Sequence, residues 1–228
     1  MPVGKTQKLI KYESPRITSR SDFIIDDPLS AKLIDRVGSA LLLMIVAPLM
    51  LIIALGIIIS SKGPVFFKQT RIGRGGRKFT CYKFRTMEID AQQRLEYLLE
   101  NCAASRFEWA KDQKLRNDPR VHPFGEFLRK SSLDELPQLF NVLIGDMSLV
   151  GPRPIVENEI VKYGRYFTHY CAVRPGITGL WQVSGRNDVA YRRRIAFDVV
   201  YVRKGRVADN VRILLQTVPV VLAAKGSY

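Results

Sequence analysis

The chain has 228 residues, of which 36 are Lys or Arg and 21 are Asp or Glu, so its formal net charge is +15 at pH 7. This length allows one domain with an appendage and excludes two large independent domains, because a single core usually takes ~100–200 residues. Hydrophobic residues make up 46% and charged residues 25%, which excludes a disordered chain. The surplus of bases indicates a phosphate-bearing partner, whether nucleic acid, anionic lipid or nucleotide.

The N-terminal part of the chain separates into a polar arm and an apolar segment. Residues 1–27 are typical of a loosely ordered arm, whereas residues 37–61 contain no ionisable side chain and are long enough for a membrane-spanning helix of ~20 residues. Pro48 lies in the middle, where it removes a backbone donor and kinks or breaks a helix. Bases flank both ends, which favours a cytoplasmic position for both. These features leave a re-entrant helix-break-helix over 28–62 and a single spanning helix both open.

Directly after the apolar segment, residues 62–87 carry eight bases and no acid. Two β-rich runs, 65–72 and 77–84, are separated by a glycine cluster and predict a β-hairpin whose bases face lipid headgroups or a ligand. Residues 88–112 predict a helix. Apolar residues at helical spacing in 207–224 predict an amphipathic helix, which lies either at a membrane interface or in the core.

The segment 132–154 contains the residues most typical of chemistry. Asp134 and Glu135 stand just before Pro137, and proline is tolerated only in the first turn of a helix, so a helix begins near 133–135. The positive end of this helix lies beside both acids, whose side chains diverge by about 100°. One acid can therefore reach a phosphorus atom while the other holds a metal ion or a proton. The alternative is that both are ordinary N-terminal caps.

Two later segments add candidates for substrate binding. In Gly151-Pro152-Arg153-Pro154, two prolines stiffen a turn around one guanidinium, a group suited to gripping phosphate with two hydrogen bonds. Residues 175–187 combine turn glycines with Trp181 and Arg186, a composition that suits a pocket for a flat base and its phosphates. Trp181 is equally consistent with a place in the core.

Three long motifs connect the chain to a known family. VFFKQTRIGRGGRKFTCYKFRTM (65–87), SLDELPQLFNVLIGDMSLVGPRP (132–154) and PGITGLWQVSGRN (175–187) follow an N-terminal hydrophobic segment in this order. They resemble the motifs of the bacterial monotopic phosphoglycosyl transferases, and the resemblance covers about residues 30–228. In its small size and its Gly-Ser-Tyr ending, the chain is similar to the short galactose-1-phosphate transferases that start exopolysaccharide synthesis.

The resemblance implies a mostly helical α+β monotopic membrane protein. A re-entrant helix over 28–62 is followed by a cytoplasmic, membrane-apposed catalytic domain over 63–228, with a small β-hairpin and interfacial amphipathic helices. The implied activity transfers a hexose-1-phosphate, galactose or glucose, from a UDP-sugar to undecaprenyl phosphate at the cytoplasmic face of the bacterial inner membrane. It requires Mg²⁺ and passes through a covalent phosphosugar on the enzyme, with UMP leaving first.

The resemblance also implies roles for individual residues. Asp134 is expected to be the nucleophile, and Glu135 its partner in holding Mg²⁺ or moving a proton. Five further residues are expected to contact the substrate. The diphosphate is expected to be bound by Lys83, Arg85 and Arg153, and the nucleotide pocket is expected to include Trp181 and Arg186.

One position departs from the family pattern. Ala47 stands before Pro48 where some members have serine, so no hydroxyl at this position can bond a freed helix carbonyl.

The rival interpretation of the whole chain is a non-catalytic, membrane-anchored protein that binds anionic lipid or nucleic acid. For the transferase, nucleic acid is not an expected partner, and the sequence leaves both the hexose and the oligomeric state, including a homo-oligomer, open.

Overall fold

The computed structural model describes residues 24–112, 115, 118–185, 189–204 and 207–222. Most of the predicted arm 1–27 therefore lies outside the described residues. The helices are α1 Leu29–Ser60, α2 Ala91–Asn101, α3 Ala103–Asp112, α4 Pro123–Lys130, α5 Gln138–Ile144, α6 Ile160–Tyr163, α7 Phe167–Ala172, α8 Leu180–Val183, α9 Tyr191–Lys204 and α10 Val207–Leu222. The strands are β1 Phe66–Ile72, β2 Lys78–Phe84, β3 Ser148–Val150 and β4 Gly176–Thr178. A mostly helical α+β fold with a long apolar N-terminal helix is confirmed.

The long helix α1 continues through its proline. Its 32 residues run from Leu29 to Ser60 with Pro48 inside, so the predicted break of the helix is wrong for the backbone. Proline removes one hydrogen bond and leaves the others intact, and the side chains on both halves of α1 pack against the rest of the chain. By length and composition α1 is able to cross a membrane. The re-entrant path remains a prediction.

One face of α1 packs against the folded domain along its whole length. Its contacts are spaced three or four residues apart, as expected for one side of a helix, at Asp35, Ser39, Leu43, Val46, Met50, Ile53 and Ile57. The remaining large apolar side chains of α1, such as Ile45, Leu51 and Ile59, are exposed. An apolar surface of this size on one helix indicates contact with a nonpolar medium or a partner.

Both ends of α1 are attached to the same domain by polar contacts. Near the N-terminal end, the buried carboxylate of Asp35 accepts hydrogen bonds from Ser148 Oγ at 3.0 Å and from Leu149 N at 2.9 Å. It also pairs with Arg174 at 2.6 Å. At the C-terminal end, the guanidinium of Arg85 donates to the carbonyl oxygen of Ser61 at 2.7 Å and to that of Lys62. These contacts hold the ends of the helix at two places on one domain.

The predicted β-hairpin is confirmed as the antiparallel pair of β1 and β2, in which Gln69 faces Cys81 and Phe67 faces Lys83. Its turn contains Gly75 and Gly76 at φ values of 67° and 71°, a region that favours glycine. Because side chains alternate along a strand, Lys83 and Cys81 lie on one face of the hairpin.

Two other elements differ from the sequence-based predictions. The single helix expected over 88–112 is two helices, α2 and α3, separated at Cys102. A second sheet pairs β3 with β4 in parallel, and its three-residue strands are too short for an alternating pattern to reveal them. The helix predicted within 207–224 is confirmed as α10, in which Ile213 is buried whereas Leu215 and Val218 are exposed. Its place at a membrane interface stays a prediction.

We expect Asp35→Asn to lower the stability of the protein by about 1–3 kcal/mol, because the buried guanidinium of Arg174 then loses one of its two charged partners and keeps Asp27. Thermal unfolding of detergent-solubilised protein measures this loss. Asp26→Asn is the control, since Asp26 is exposed and lies 3.8 Å from its nearest cation, Arg74. Equal unfolding midpoints for the two variants would contradict the assigned role of Asp35.

Candidate active site

The two adjacent carboxylates lie in a tight turn between two helices. Leu133–Glu135 forms a 3₁₀ turn, and Pro137 caps the following helix α5, so the predicted helix start is found as a 3₁₀ turn that leads into α5. Ser132, directly before the turn, has a φ of 58° and is the only non-glycine residue with positive φ in the described ranges. Such strained conformations persist where the surrounding structure enforces them.

Glu135 is held by two cations that come from distant parts of the chain. Its Oε1 lies 2.7 Å from Lys83 Nζ on β2 and 2.8 Å from a terminal nitrogen of Arg153. Burial alone would raise the pKa of Glu135, but Arg153 and Lys83 outweigh it and hold this pKa well below its usual range. Glu135 is therefore a charged, fixed group that shares its charge with both cations.

Asp134 is buried beside this cluster but has no hydrogen-bonded cation. Its nearest charged group is Lys83 Nζ at 3.9 Å, and within the described parts of the chain its carboxylate accepts no hydrogen bond. Only 9% of the residue is exposed. Burial raises the pKa of Asp134 to about 6, with Glu135 adding to the rise and Lys83 opposing it. The two acids thus have opposite environments, and Asp134 is the one available to react.

Arg129 is a further cation at this site, and the sequence analysis did not identify it. Its Nε donates to Thr86 Oγ1 at 2.9 Å, and its two terminal nitrogens have no hydrogen-bond partner among the residues that the structure describes. It is close enough to Asp134 that each group shifts the pKa of the other. A basic residue in the last turn of α4, five positions before Asp134, is the sequence signal that points to it.

Arg85 does not join the cluster, contrary to the expectation that it binds phosphate. It is 5% exposed, and its two terminal nitrogens donate to the first two carbonyl groups after α1, those of Ser61 and Lys62. Carbonyl oxygens at a helix C-terminus carry a partial negative charge, which a guanidinium satisfies. Arg85 therefore anchors α1, and its neighbour two positions earlier, Lys83, reaches the carboxylates.

The turn that carries Arg153 packs against residues 175–179. Gly151 N donates to Thr178 O at 2.9 Å, and Gly176 N donates to Pro152 O at 2.8 Å. A Cβ atom on Gly151 would lie 2.6 Å from the carbonyl oxygen of Arg174, and one on Gly176 or Gly179 would also overlap the backbone of the turn. Only glycine permits this close approach, which accounts for Gly151, Gly176 and Gly179.

Trp181 lies in the core, the alternative that the sequence left open. It is 5% exposed, and the guanidinium of Arg194 stacks on its ring at 4.7 Å from the centroid. Its expected contact with the nucleotide therefore has no support in this arrangement. Arg186 lies outside the described residues, so its expected role stays a prediction.

The two adjacent carboxylates also allow a test of the expected Mg²⁺. Within the described ranges no group of three or more His, Cys, Asp or Glu side chains is suited to a metal ion. Mg²⁺ usually keeps several waters and binds one or two carboxylates together with substrate phosphates. Asp134, which accepts no hydrogen bond, and Oε2 of Glu135, whose nearest donor is Arg153 at 3.5 Å, fit this kind of site.

The chain matches the family model of the bacterial sugar transferases over residues 27–224, so it belongs to that family, and the predicted resemblance is confirmed. It is 50% identical over 194 residues to an undecaprenyl-phosphate galactose phosphotransferase of Salmonella typhimurium, which covers 85% of this chain and 40% of the relative. It is 44% identical to the exopolysaccharide production protein ExoY of Rhizobium meliloti, over 85% of this chain and 86% of the relative.

A third relative is a UDP-glucose:undecaprenyl-phosphate glucose-1-phosphate transferase of Xanthomonas campestris. It is 41% identical over 202 residues, which cover 85% of this chain and 39% of the relative. The chain therefore spans about two fifths of the length of the galactose and glucose transferases and most of the length of ExoY.

The contrast between the two acids predicts which of them reacts with a carbodiimide, a reagent that modifies protonated carboxyl groups. At about pH 5.5 Asp134 is partly protonated, because its pKa is about 6, whereas Glu135 stays ionised. We expect an added amine to couple to Asp134 and not to Glu135, which fragment-ion mass spectrometry of the peptide distinguishes. Preferential coupling to Glu135 would contradict the assignment.

Proposed function

We propose that this protein transfers a hexose-1-phosphate, galactose or glucose, from a UDP-sugar to undecaprenyl phosphate and so starts exopolysaccharide synthesis. The observation that carries the proposal is the buried carboxylate of Asp134, which accepts no hydrogen bond from the described residues and lies beside a second carboxylate that two cations neutralise. A carboxylate that is near cations but not hydrogen-bonded to them suits nucleophilic attack on an anionic phosphorus centre. The names of the relatives at 41–50% identity support the donor and the acceptor.

The reaction proceeds in two displacements at phosphorus. In the first, a carboxylate oxygen of Asp134 forms a bond to the sugar-bearing phosphorus of the UDP-sugar, and the bond from that phosphorus to the bridging oxygen breaks. UMP leaves with the bonding electron pair. In the second, an oxygen of undecaprenyl phosphate attacks the same phosphorus, and the bond to Asp134 breaks, which restores the carboxylate and yields the lipid diphosphate sugar.

The cations around the carboxylates reduce the repulsion between an anionic nucleophile and an anionic diphosphate. Arg129 has two terminal nitrogens available for phosphate oxygens next to Asp134, and it takes the role that the sequence had suggested for Arg85. Lys83 and Arg153 remain paired with Glu135 and add positive charge at fixed positions. Mg²⁺ held by Asp134 and Glu135 supplies further positive charge to the diphosphate.

We also propose that α1, bent at Pro48, enters and leaves the inner membrane from the cytoplasmic side. The attachments of Asp35 near one end and of Ser61 after the other end to one domain support this path, because a helix that crosses the bilayer separates its two ends. The exposed apolar side chains of α1 and of α10 then lie in or on the lipid. This placement lets the site meet a lipid acceptor and a soluble donor together.

An assay with the UDP-sugar donor but without the lipid acceptor distinguishes the two-step route from direct transfer. We expect protein given UDP-sugar and Mg²⁺ without lipid to release at most about one UMP per active site, because the phosphosugar stays on Asp134. Asp134→Asn removes this release, since an amide is a poor nucleophile. Glu135→Gln slows it by ~10²–10⁴ and leaves it detectable, the range for groups that assist the reaction without bonding to phosphorus. Release that requires lipid in the unaltered protein would contradict the two-step route.

The pKa of Asp134 predicts the pH dependence of that first step. Attack needs the ionised carboxylate, so the single-turnover rate of UMP release should rise with pH through about 6 and then level off. Glu135 raises the pKa of Asp134, and removing its charge in Glu135→Gln should move the midpoint of the rise to lower pH. A rate that falls over this range in the unaltered protein would rule out an ionised Asp134 as nucleophile.

Labelling of single cysteines tests the path of α1. In a Cys102→Ser background, we expect cysteines at Ser30 and at Lys68, both exposed positions on either side of the apolar segment, to resist a membrane-impermeant thiol reagent in intact cells. Both should react after lysis, because both face the cytoplasm. Labelling of either one in intact cells would mean that α1 crosses the membrane.

A further inference from the structure

Asn141 joins the helix after the two carboxylates to the strand that carries Lys83. It is fully buried, and its Oδ1 accepts a hydrogen bond from Tyr82 N at 3.0 Å. Its Nδ2 donates to Thr80 O at 2.7 Å. The two partners lie two residues apart on the edge of β2 that does not pair with β1, so the side-chain amide takes the place that a further strand would occupy.

A second polar link joins β2 to the turn that precedes α5. It is the ion pair of Lys83 and Glu135 at 2.7 Å, made by a long side chain with a flexible stem. The Asn141 amide is short and bonds to backbone atoms, so it fixes the position of the α5 backbone relative to β2. Its own backbone carbonyl accepts from Met147 N at 3.1 Å, which ties the same point to the approach to β3.

We propose that Asn141 is a positioning residue for the reaction. Its amide sets the separation of β2 and α5 at which Lys83 Nζ bonds Glu135 and still lies 3.9 Å from Asp134. Asparagine suits this place because its amide offers a donor and an acceptor side by side on a short side chain. The role rests on the proposed function, since it acts through Lys83 on the attacking carboxylate.

The test measures donor-driven UMP release in Asn141→Leu at one pH and over a range of donor concentrations. A displaced Lys83 no longer holds its charge 3.9 Å from Asp134, so the saturating single-turnover rate should fall by ~10²-fold, whereas the donor concentration at half-saturation should change little, because Lys83 acts on the attacking carboxylate. Asn210→Leu is the matched control, because it removes an amide that accepts from Tyr201 away from the carboxylates. We expect it to keep the saturating rate per folded active site of the unaltered protein, whatever its stability.

Asn141→Asp provides a second variant in case the leucine variant does not fold. When protonated, the new carboxyl group has one donor and one acceptor and can reproduce both hydrogen bonds, but when ionised it repels the carbonyl oxygen of Thr80. Its rate should therefore rise at low pH and fall again as this buried group ionises. The conservative variant thus restores function only in its protonated form.

The outcomes separate the two proposals. If the unaltered protein releases no UMP from donor alone, the proposed function is overturned. If it does so, the positioning role is overturned when Asn141→Leu keeps the saturating rate of Asn210→Leu, or when Asn141→Asp keeps a flat rate above about pH 7. A lowered saturating rate in Asn141→Leu, or a falling limb in Asn141→Asp, supports the role of Asn141.

Discussion

Two carboxylates that are adjacent in sequence and buried together repel each other, and the fold relieves this repulsion by giving two cations to one of them. Lys83 lies 52 residues before Glu135 and Arg153 lies 18 residues after it, and both bond the same oxygen. Asp134 is left buried without a hydrogen-bonded partner among the described residues, and burial raises its pKa to about 6. An acid with this pKa is largely ionised near neutral pH and remains free to attack.

Much of the surrounding structure serves to bring these groups together. The hairpin presents Lys83, Asn141 fixes α5 against it, and the parallel strands β3 and β4 support the turn that carries Arg153. Two glycine-containing motifs that are far apart in sequence can meet there because their glycines lack the Cβ atom that would overlap the opposite backbone. The long helix α1 is anchored to the same domain by Asp35 and by Arg85, so the site and the apolar surface form one unit.

Sequence reasoning identified the features that depend on local chemistry. The hairpin follows from alternation and glycines, the helix start near 133–135 from Pro137, and the pair Asp134 and Glu135 from their place before it. Interactions between distant residues were not accessible. The capping of α1 by Arg85 and the placement of Trp181 in the core depend on how the elements pack, and no spacing along the chain records this packing. The sequence also predicted a break of the helix at Pro48, whereas α1 is continuous through this residue and packs against the domain on both sides of it.

The most direct test of the account is to locate the covalent adduct. Protein incubated with UDP-sugar and Mg²⁺, without lipid, is digested and its peptides are sequenced by mass spectrometry. The account predicts a hexose-phosphate on Asp134 and none on Glu135, because Lys83 and Arg153 hold Glu135 in place. The same protein should lose the adduct when undecaprenyl phosphate is added. An adduct on Glu135, or none on either acid while the complete reaction proceeds, would contradict the assignment of Asp134 as the nucleophile.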